Sequence, residues 1–246
     1  MDQQRSTLFW PAAVTAGVLV VLISRISRTL VQPYGVDGAE YIEHLGRLEI
    51  LGAFRELLHS GDLLAFLREA DNAFPPLLHV LTLPFGAVLG HRAEDVLVVG
   101  PLWLLVLALS TALIARHLAG SSRAAAAAGS ATLLVPALHG FSTHYYYDLP
   151  MTALLWLGLA VLVLGRDGRE GPAGLLGGAL LFGAALIKWQ ALPVVATMLI
   201  ALALAPNPGP TSAAEPSSRP SLLGRLFLPG LAGVVCLLAC LAYLGM

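Results

Sequence analysis

The chain is poor in charge and nearly empty of lysine. Only 12% of its 246 residues are charged, and of the 14 basic side chains just one, Lys188, is a lysine. Basic and acidic groups balance, 14 against 15, so there is no positive field to neutralise a phosphate backbone, which excludes nucleic acid as a partner. Cysteine is almost absent. Cys236 and Cys240 lie inside an apolar run with no third ligand near them in sequence, so they imply neither a disulfide framework nor a metal site. No phosphate-cradling P-loop, dinucleotide fingerprint, G-x-S-x-G elbow or repeat of fixed period occurs. His139 and His144 are five apart, which does not match the i, i+4 pair of a helical metal site.

What the chain does have is apolar surface. It is 57% hydrophobic, with a mean hydropathy of +0.78, more than a water-soluble domain can bury, so a bilayer must act as solvent. A hydrocarbon core of ~30 Å asks for ~20 apolar residues per helix, with ~17 as a minimum. Seven uncharged windows meet that length: 6–24, 96–115, 124–143, 149–165, 171–187, 189–206 and 226–246. The expectation is an all-α integral membrane protein of about seven transmembrane helices, a single module over 1–246. An eighth window, 74–90, contains Pro75, Pro76 and Pro84 and ends at Gly86 and Gly90, and is read as half-inserted. If it does not cross and the N-terminus is cytoplasmic, Arg5, Arg116, Arg123, Arg166, Arg169, Arg219 and Arg225 all fall inside, as positive-inside topology expects. Arg25 and Arg28 follow the first window with no small-x-small cleavage site, which predicts a retained signal anchor.

Ten of the 15 acids lie in 25–95, read as a large outer loop. Within it Ile42, Leu45, Leu48, Leu51, Phe54, Leu57 and Leu58 recur at helical spacing between charged residues, the pattern of an amphipathic helix on the bilayer surface. A second short helix is predicted over 62–69, with Asp62 as its cap. The proline- and serine-rich stretch 206–221 reads as a disordered cytoplasmic loop. Gly174-x-x-x-Gly178 fits close helix packing.

Few polar groups stand where chemistry could use them. Asp148 closes the run His144-Tyr145-Tyr146-Tyr147-Asp148 just before an apolar helix, where it serves either as a helix-terminal acid or as a functional carboxylate. Asp37 follows the first span and should lie at the same depth. Lys188, at the junction of two apolar windows and followed by Trp189, either snorkels to the interface or holds an anionic headgroup. Arg25 and Arg28, on the side where positive charge is disfavoured, could assist the same anion. His79, alone on an apolar segment, reads as a packed interfacial residue.

The order of these features resembles a known family. Gln32-Pro33-Tyr34-Gly35-Val36-Asp37-Gly38-Ala39-Glu40-Tyr41, then Pro75-Pro76-Leu77-Leu78-His79, then Tyr146-Tyr147-Asp148-Leu149-Pro150, then Ala184-Ala185-Leu186-Ile187-Lys188-Trp189 is similar to the GT-C superfamily. The likeness is to bacterial transferases related to aminoarabinose transferase and protein O-mannosyltransferase. It implies a glycosyltransferase of the bacterial inner membrane, moving a sugar from a polyprenyl-phosphate donor to a lipid, glycan or protein acceptor on the outer face. On this resemblance Asp37 and Asp148 are the catalytic acids, with no cofactor beyond room for a divalent metal. Lys188, Arg25, Arg28, Glu40, Tyr41, Tyr147 and His144 are substrate-binding. The pattern departs where many relatives have Asp-Glu and this chain has Asp37-Gly38, and where a basic residue often precedes the proline pair and Asn72-Ala73-Phe74 stands here. Relatives continue beyond a seventh span, so the chain is expected to lack the family's C-terminal part. The rival expectation is a non-enzymatic polytopic transporter or a lipid-binding subunit of an envelope complex.

Overall fold

The computed structural model describes residues 77–89, 97, 99–165 and 170–204, together with Glu49, Leu51, Gly52, Arg55, Glu56 and Ser60. The regular structure among these residues is helical. The continuous helices are α1 (Leu77–Leu89), α2 (Val99–Ala119), α3 (Ser122–Leu133), α4 (Pro136–Ser142), α5 (Asp148–Gly165), α6 (Glu170–Ala185) and α7 (Ala191–Leu204). Windows 6–24 and 226–246, the short helix over 62–69 and the stretch 206–221 lie outside the described residues. Of the amphipathic segment, Glu49, Leu51, Gly52, Arg55, Glu56 and Ser60 are helical. Leu51 is buried in the core, and Glu49 and Glu56 are exposed.

Proline placement explains where several helices begin. Pro101, Pro136, Pro150, Pro172 and Pro193 each fall in the first turn of their helix, where a missing N–H leaves no carbonyl unserved. Two helices, α2 with 21 residues and α5 with 18, are long and apolar enough to cross a membrane. The window 124–143 is not the single straight span its composition predicts. It breaks into α3 and α4, bent by 62°, because Pro136 opens a new helix and holds Val135 extended before it. The break is tied by His139, whose Nε2 donates to the Leu133 carbonyl left open at the end of α3. Counted as one bent span, the pair is a third segment long and apolar enough to cross. α6 and α7, at 16 and 14 residues, are apolar but shorter than the windows that contain them.

α5 is the central helix, lying along α2 on one side and α6 on the other, and α3 folds back along α2. Leu104 and Leu107 of α2 share a buried cluster with Leu149 and Ala153, so α2 and α5 run in the same direction. α6 returns antiparallel to α5. The two backbones approach closely at Gly158 and Gly177, where a Cβ on Gly158 would stand 2.9 Å from the Gly177 carbonyl oxygen and from the Leu181 side chain. The sequence marks Gly174 and Gly178; both are buried, but the contact with Gly158 is made by Gly177. Leu118, Leu134, Leu175, Leu176 and Ile200 turn outward, an apolar exterior that suits lipid and would be costly in water.

α1 is 13 residues long, about 20 Å at ~1.5 Å per residue, against a hydrocarbon core of ~30 Å. Pro84 lies inside it, so the Val80 carbonyl receives no amide from that position. Its first amide, Leu77 N–H, donates to the Leu186 carbonyl at 3.2 Å, which sets its start against the turn between α6 and α7.

The Gly158 contact gives a direct test. Gly158→Val should lower the unfolding temperature in detergent by an amount equivalent to about 1–3 kcal/mol, the usual effect of overpacking. Gly140→Ala, where a Cβ meets nothing within 4 Å, should leave that temperature unchanged.

Candidate functional site

Among the described residues, Asp148, Lys188, His79 and Tyr145 to Tyr147 gather at one end of the bundle. The starts of α1, α5 and α7 and the end of α6 meet there, and the start of α2 lies against Ser142 at the end of α4. Arg116, His117 and Arg123, around the α2–α3 turn, lie at the opposite end. Asp148 is the first residue of α5, where the free amides and helix dipole favour a carboxylate. Lys188 lies in the turn between α6 and α7, whose backbone is held by Lys188 N–H to Ala184 O and Ala191 N–H to Lys188 O, both 3.0 Å. Although 40 positions apart in sequence, the two side chains meet: Lys188 Nζ is 2.6 Å from Asp148 Oδ1. The lysine side chain is 18% exposed and the aspartate 44%, so the pair sits on a rim open to a ligand. A half-exposed pair of this kind contributes up to about 1 kcal/mol to stability.

Behind the pair is a buried polar chain that the sequence does not announce. His79 and Thr82, three apart on α1, are fully buried, and Tyr145 and Tyr147 are 4% and 1% exposed. Thr82 Oγ1 donates to the Leu78 carbonyl at 2.8 Å, so its oxygen accepts from Tyr145 O–H at 3.2 Å. That uses the one phenolic proton of Tyr145, whose oxygen is then the acceptor for His79 Nδ1–H at 3.2 Å. A neutral imidazole protonated on Nδ1 carries its lone pair on Nε2, which takes Tyr147 O–H at 3.0 Å. The bonds thus run in one direction from Tyr147 to the backbone of α1. Burial pushes the Tyr145 phenol well above its ordinary pKa, partly offset by its bond to Thr82, and so keeps it a donor at neutral pH.

The three consecutive tyrosines do not share one surface, and Tyr145 borders both the His79 side and the cleft. Tyr145 and Tyr147 point to His79, while Tyr146 faces the other way, edge-on to Phe141 with ring centroids 6.1 Å apart and tilted over His144 at 5.5 Å. These rings, with Trp103, Leu149 and Pro150, line a small cleft beside the start of α5. Among the described residues Trp103 Nε1 is the buried side-chain nitrogen with no hydrogen-bond partner.

Of the residues the sequence singles out, Asp148 and Lys188 are brought together, and Tyr147, next to Asp148 in the chain, is buried. His144 lines the cleft with its Nδ1 2.8 Å from the Gly140 carbonyl and 3.1 Å from Thr143 Oγ1. Tyr147 lies beneath the rim, 1% exposed. Asp37, Glu40, Tyr41, Arg25 and Arg28 lie outside the described residues. His79, read as a packed apolar-segment residue, is packed but also hydrogen-bonded at both ring nitrogens. The available signals were the i, i+3 spacing of His79 and Thr82 on one helix face and the i, i+2 spacing of Tyr145 and Tyr147. Among the described residues no three His, Cys, Asp or Glu side chains gather closely enough to hold a metal ion. No protein-family model, curated protein or solved structure matches the chain.

The site makes opposite demands of its two polar layers. Tyr145→Phe, which removes the hydroxyl shared by His79 and Thr82, should destabilise the folded protein by about 1–3 kcal/mol. Asp148→Asn on the rim should change stability by no more than about 1 kcal/mol. Thermal unfolding of both variants in the same detergent measures the contrast.

Proposed function

We propose that the chain is a multi-pass membrane glycosyltransferase of the GT-C type, which moves a sugar from a polyprenyl-phosphate donor to an acceptor on the outer face of the bacterial inner membrane. In this reading the seven apolar windows span, segment 74–90 enters from the outer side without crossing, and the N-terminus is cytoplasmic. The observation that carries it is the meeting of Asp148 with Lys188 at 2.6 Å on the bundle end opposite Arg116 and Arg123. A carboxylate and a cation on one half-exposed rim suit a substrate whose reacting bond joins a sugar to a phosphate.

The chemistry divides among few groups. Lys188, with Arg25 and Arg28 in support, neutralises the charge that grows on the departing lipid phosphate, the kind of donor whose removal costs about 10²- to 10³-fold in rate. The amino ends of α1, α2, α5 and α7 face the same rim, opposed by the carboxyl ends of α4 and α6, and their dipoles favour an anion there. Asp37 takes the proton of the acceptor hydroxyl, worth about 10²- to 10⁴-fold for a well-placed base. Asp148 holds Lys188 until the phosphate arrives and then orients the sugar or acceptor.

A second reading, a carrier or lipid-binding subunit without turnover, draws support from the buried imidazole of His79, since ionisable groups inside membrane bundles often serve proton relays. Incubating the purified full-length protein with a radiolabelled polyprenyl-phosphate sugar and membrane acceptors separates the two. Transfer is expected for the wild type. It should fall at least about 10²-fold in Lys188→Met and in Asp37→Asn, with the amount of folded protein in membranes unchanged. Full transfer in Lys188→Met would remove the phosphate role of that residue, and no transfer by the wild type would favour the carrier.

A further inference from the structure

The first turn of α1 touches the chain beside both members of the ion pair. Leu77 N–H donates to Leu186 O at 3.2 Å, two residues before Lys188, and His79 Nε2 accepts Tyr147 O–H at 3.0 Å, one residue before Asp148. Both contacts fall where a helix starts or stops and the backbone has the fewest internal restraints. Tyr147 is held at two points. Its side chain is fixed by His79, and its carbonyl accepts from Met151 N–H at 3.0 Å, the bond that opens the α5 ladder. Fixing the Tyr147 ring therefore fixes the frame from which Asp148 projects. Tyr145, on the other imidazole nitrogen, lies three residues before Asp148.

We propose that His79 is a positioning residue for the Asp148–Lys188 pair, acting through the hydroxyl of Tyr147 from a short helix that also pins the Lys188 turn. Its weight in sugar transfer rests on the reading of the pair given above, but the geometry it controls is present without substrate. The role is distinct from filling space. It requires an acceptor at the Nε2 position, and a side chain of similar bulk without one does not supply it.

Lys188 makes the geometry measurable, because it is the one lysine in the chain. The full-length protein in lipid nanodiscs, with no sugar donor, is treated with an amine-acetylating reagent. The rate of modification is then followed by mass spectrometry of the peptide containing Lys188. Asp148→Asn should raise that rate about two- to fivefold, the change that matches loss of a half-exposed ion pair. His79→Ala and Tyr147→Phe should raise it to a similar level. His79→Gln, whose amide reaches the place of Nε2, should stay near the wild-type rate. His79→Asn, whose amide reaches only the place of Nδ1, should behave like His79→Ala.

Wild-type rates in Tyr147→Phe and His79→Ala, with Asp148→Asn accelerated, would overturn the proposal. So would retention by His79→Asn and not by His79→Gln, which would route the effect through Tyr145, and so would an unaccelerated Asp148→Asn. Tyr147→Phe keeps the buried ring and guards against misfolding as the cause. A wild-type protein that transfers no sugar would undo the functional reading while leaving this labelling result intact.

Discussion

The imidazole of His79, held between the hydroxyls of Tyr145 and Tyr147, is the contact on which the polar end of this bundle depends. In a bilayer, apolar side chains are no better off against one another than against lipid, so hydrophobicity alone does not choose which helix lies beside which. Shape and a few directional polar bonds make that choice. α1 is short, at 13 residues, and carries a proline in its interior, so it has little of its own to fix its place. What fixes it is a row of buried hydrogen bonds to the segment leading into α5, an amide bond to the turn leading into α7, and the leucines Leu77, Leu78 and Leu81 packed around them.

Stability and chemistry are divided by depth at this end. The buried chain from Tyr147 through His79 and Tyr145 to Thr82 runs donor to acceptor at every step, so it restrains geometry without a charge to desolvate. The rim layer carries the charges, which remain partly in contact with solvent and exchange partners at little cost. In the proposed reading, an anionic headgroup takes Lys188 from Asp148 without disturbing the frame beneath. The same division explains the tyrosine run: alternate rings serve the buried layer, and Tyr146 between them faces the cleft with His144 and Phe141.

The remainder of the bundle is organised by close backbone approach. Gly158 and Gly177 bring α5 and α6 together until side chains of neighbouring turns interlock, and the bend between α3 and α4 lets Ser142 pack against the start of α2. These contacts do not depend on charge. They align the starts of α2 and α5 at one end, which puts the arginine-bearing α2–α3 turn at the other.

The amino-acid sequence by itself determined the all-helical apolar character, the positions of most helix starts, and the interest of Asp148 and Lys188. Each of these follows from local physics: unbroken apolar runs, prolines favoured in a first turn, and ionisable groups too rare to be incidental. It predicted one straight helix over 124–143 because composition there is uniformly apolar; a single proline and the carbonyl it leaves open divide that helix, and hydropathy carries no record of such a bond. Only the tertiary structure decided that Asp148 faces Lys188, that Gly177 meets Gly158, and that a histidine in an apolar segment serves two tyrosine hydroxyls. Those pairings join residues 19 to 68 positions apart, and contacts across such separations are set by how helices rotate and slide against one another, which no local pattern encodes.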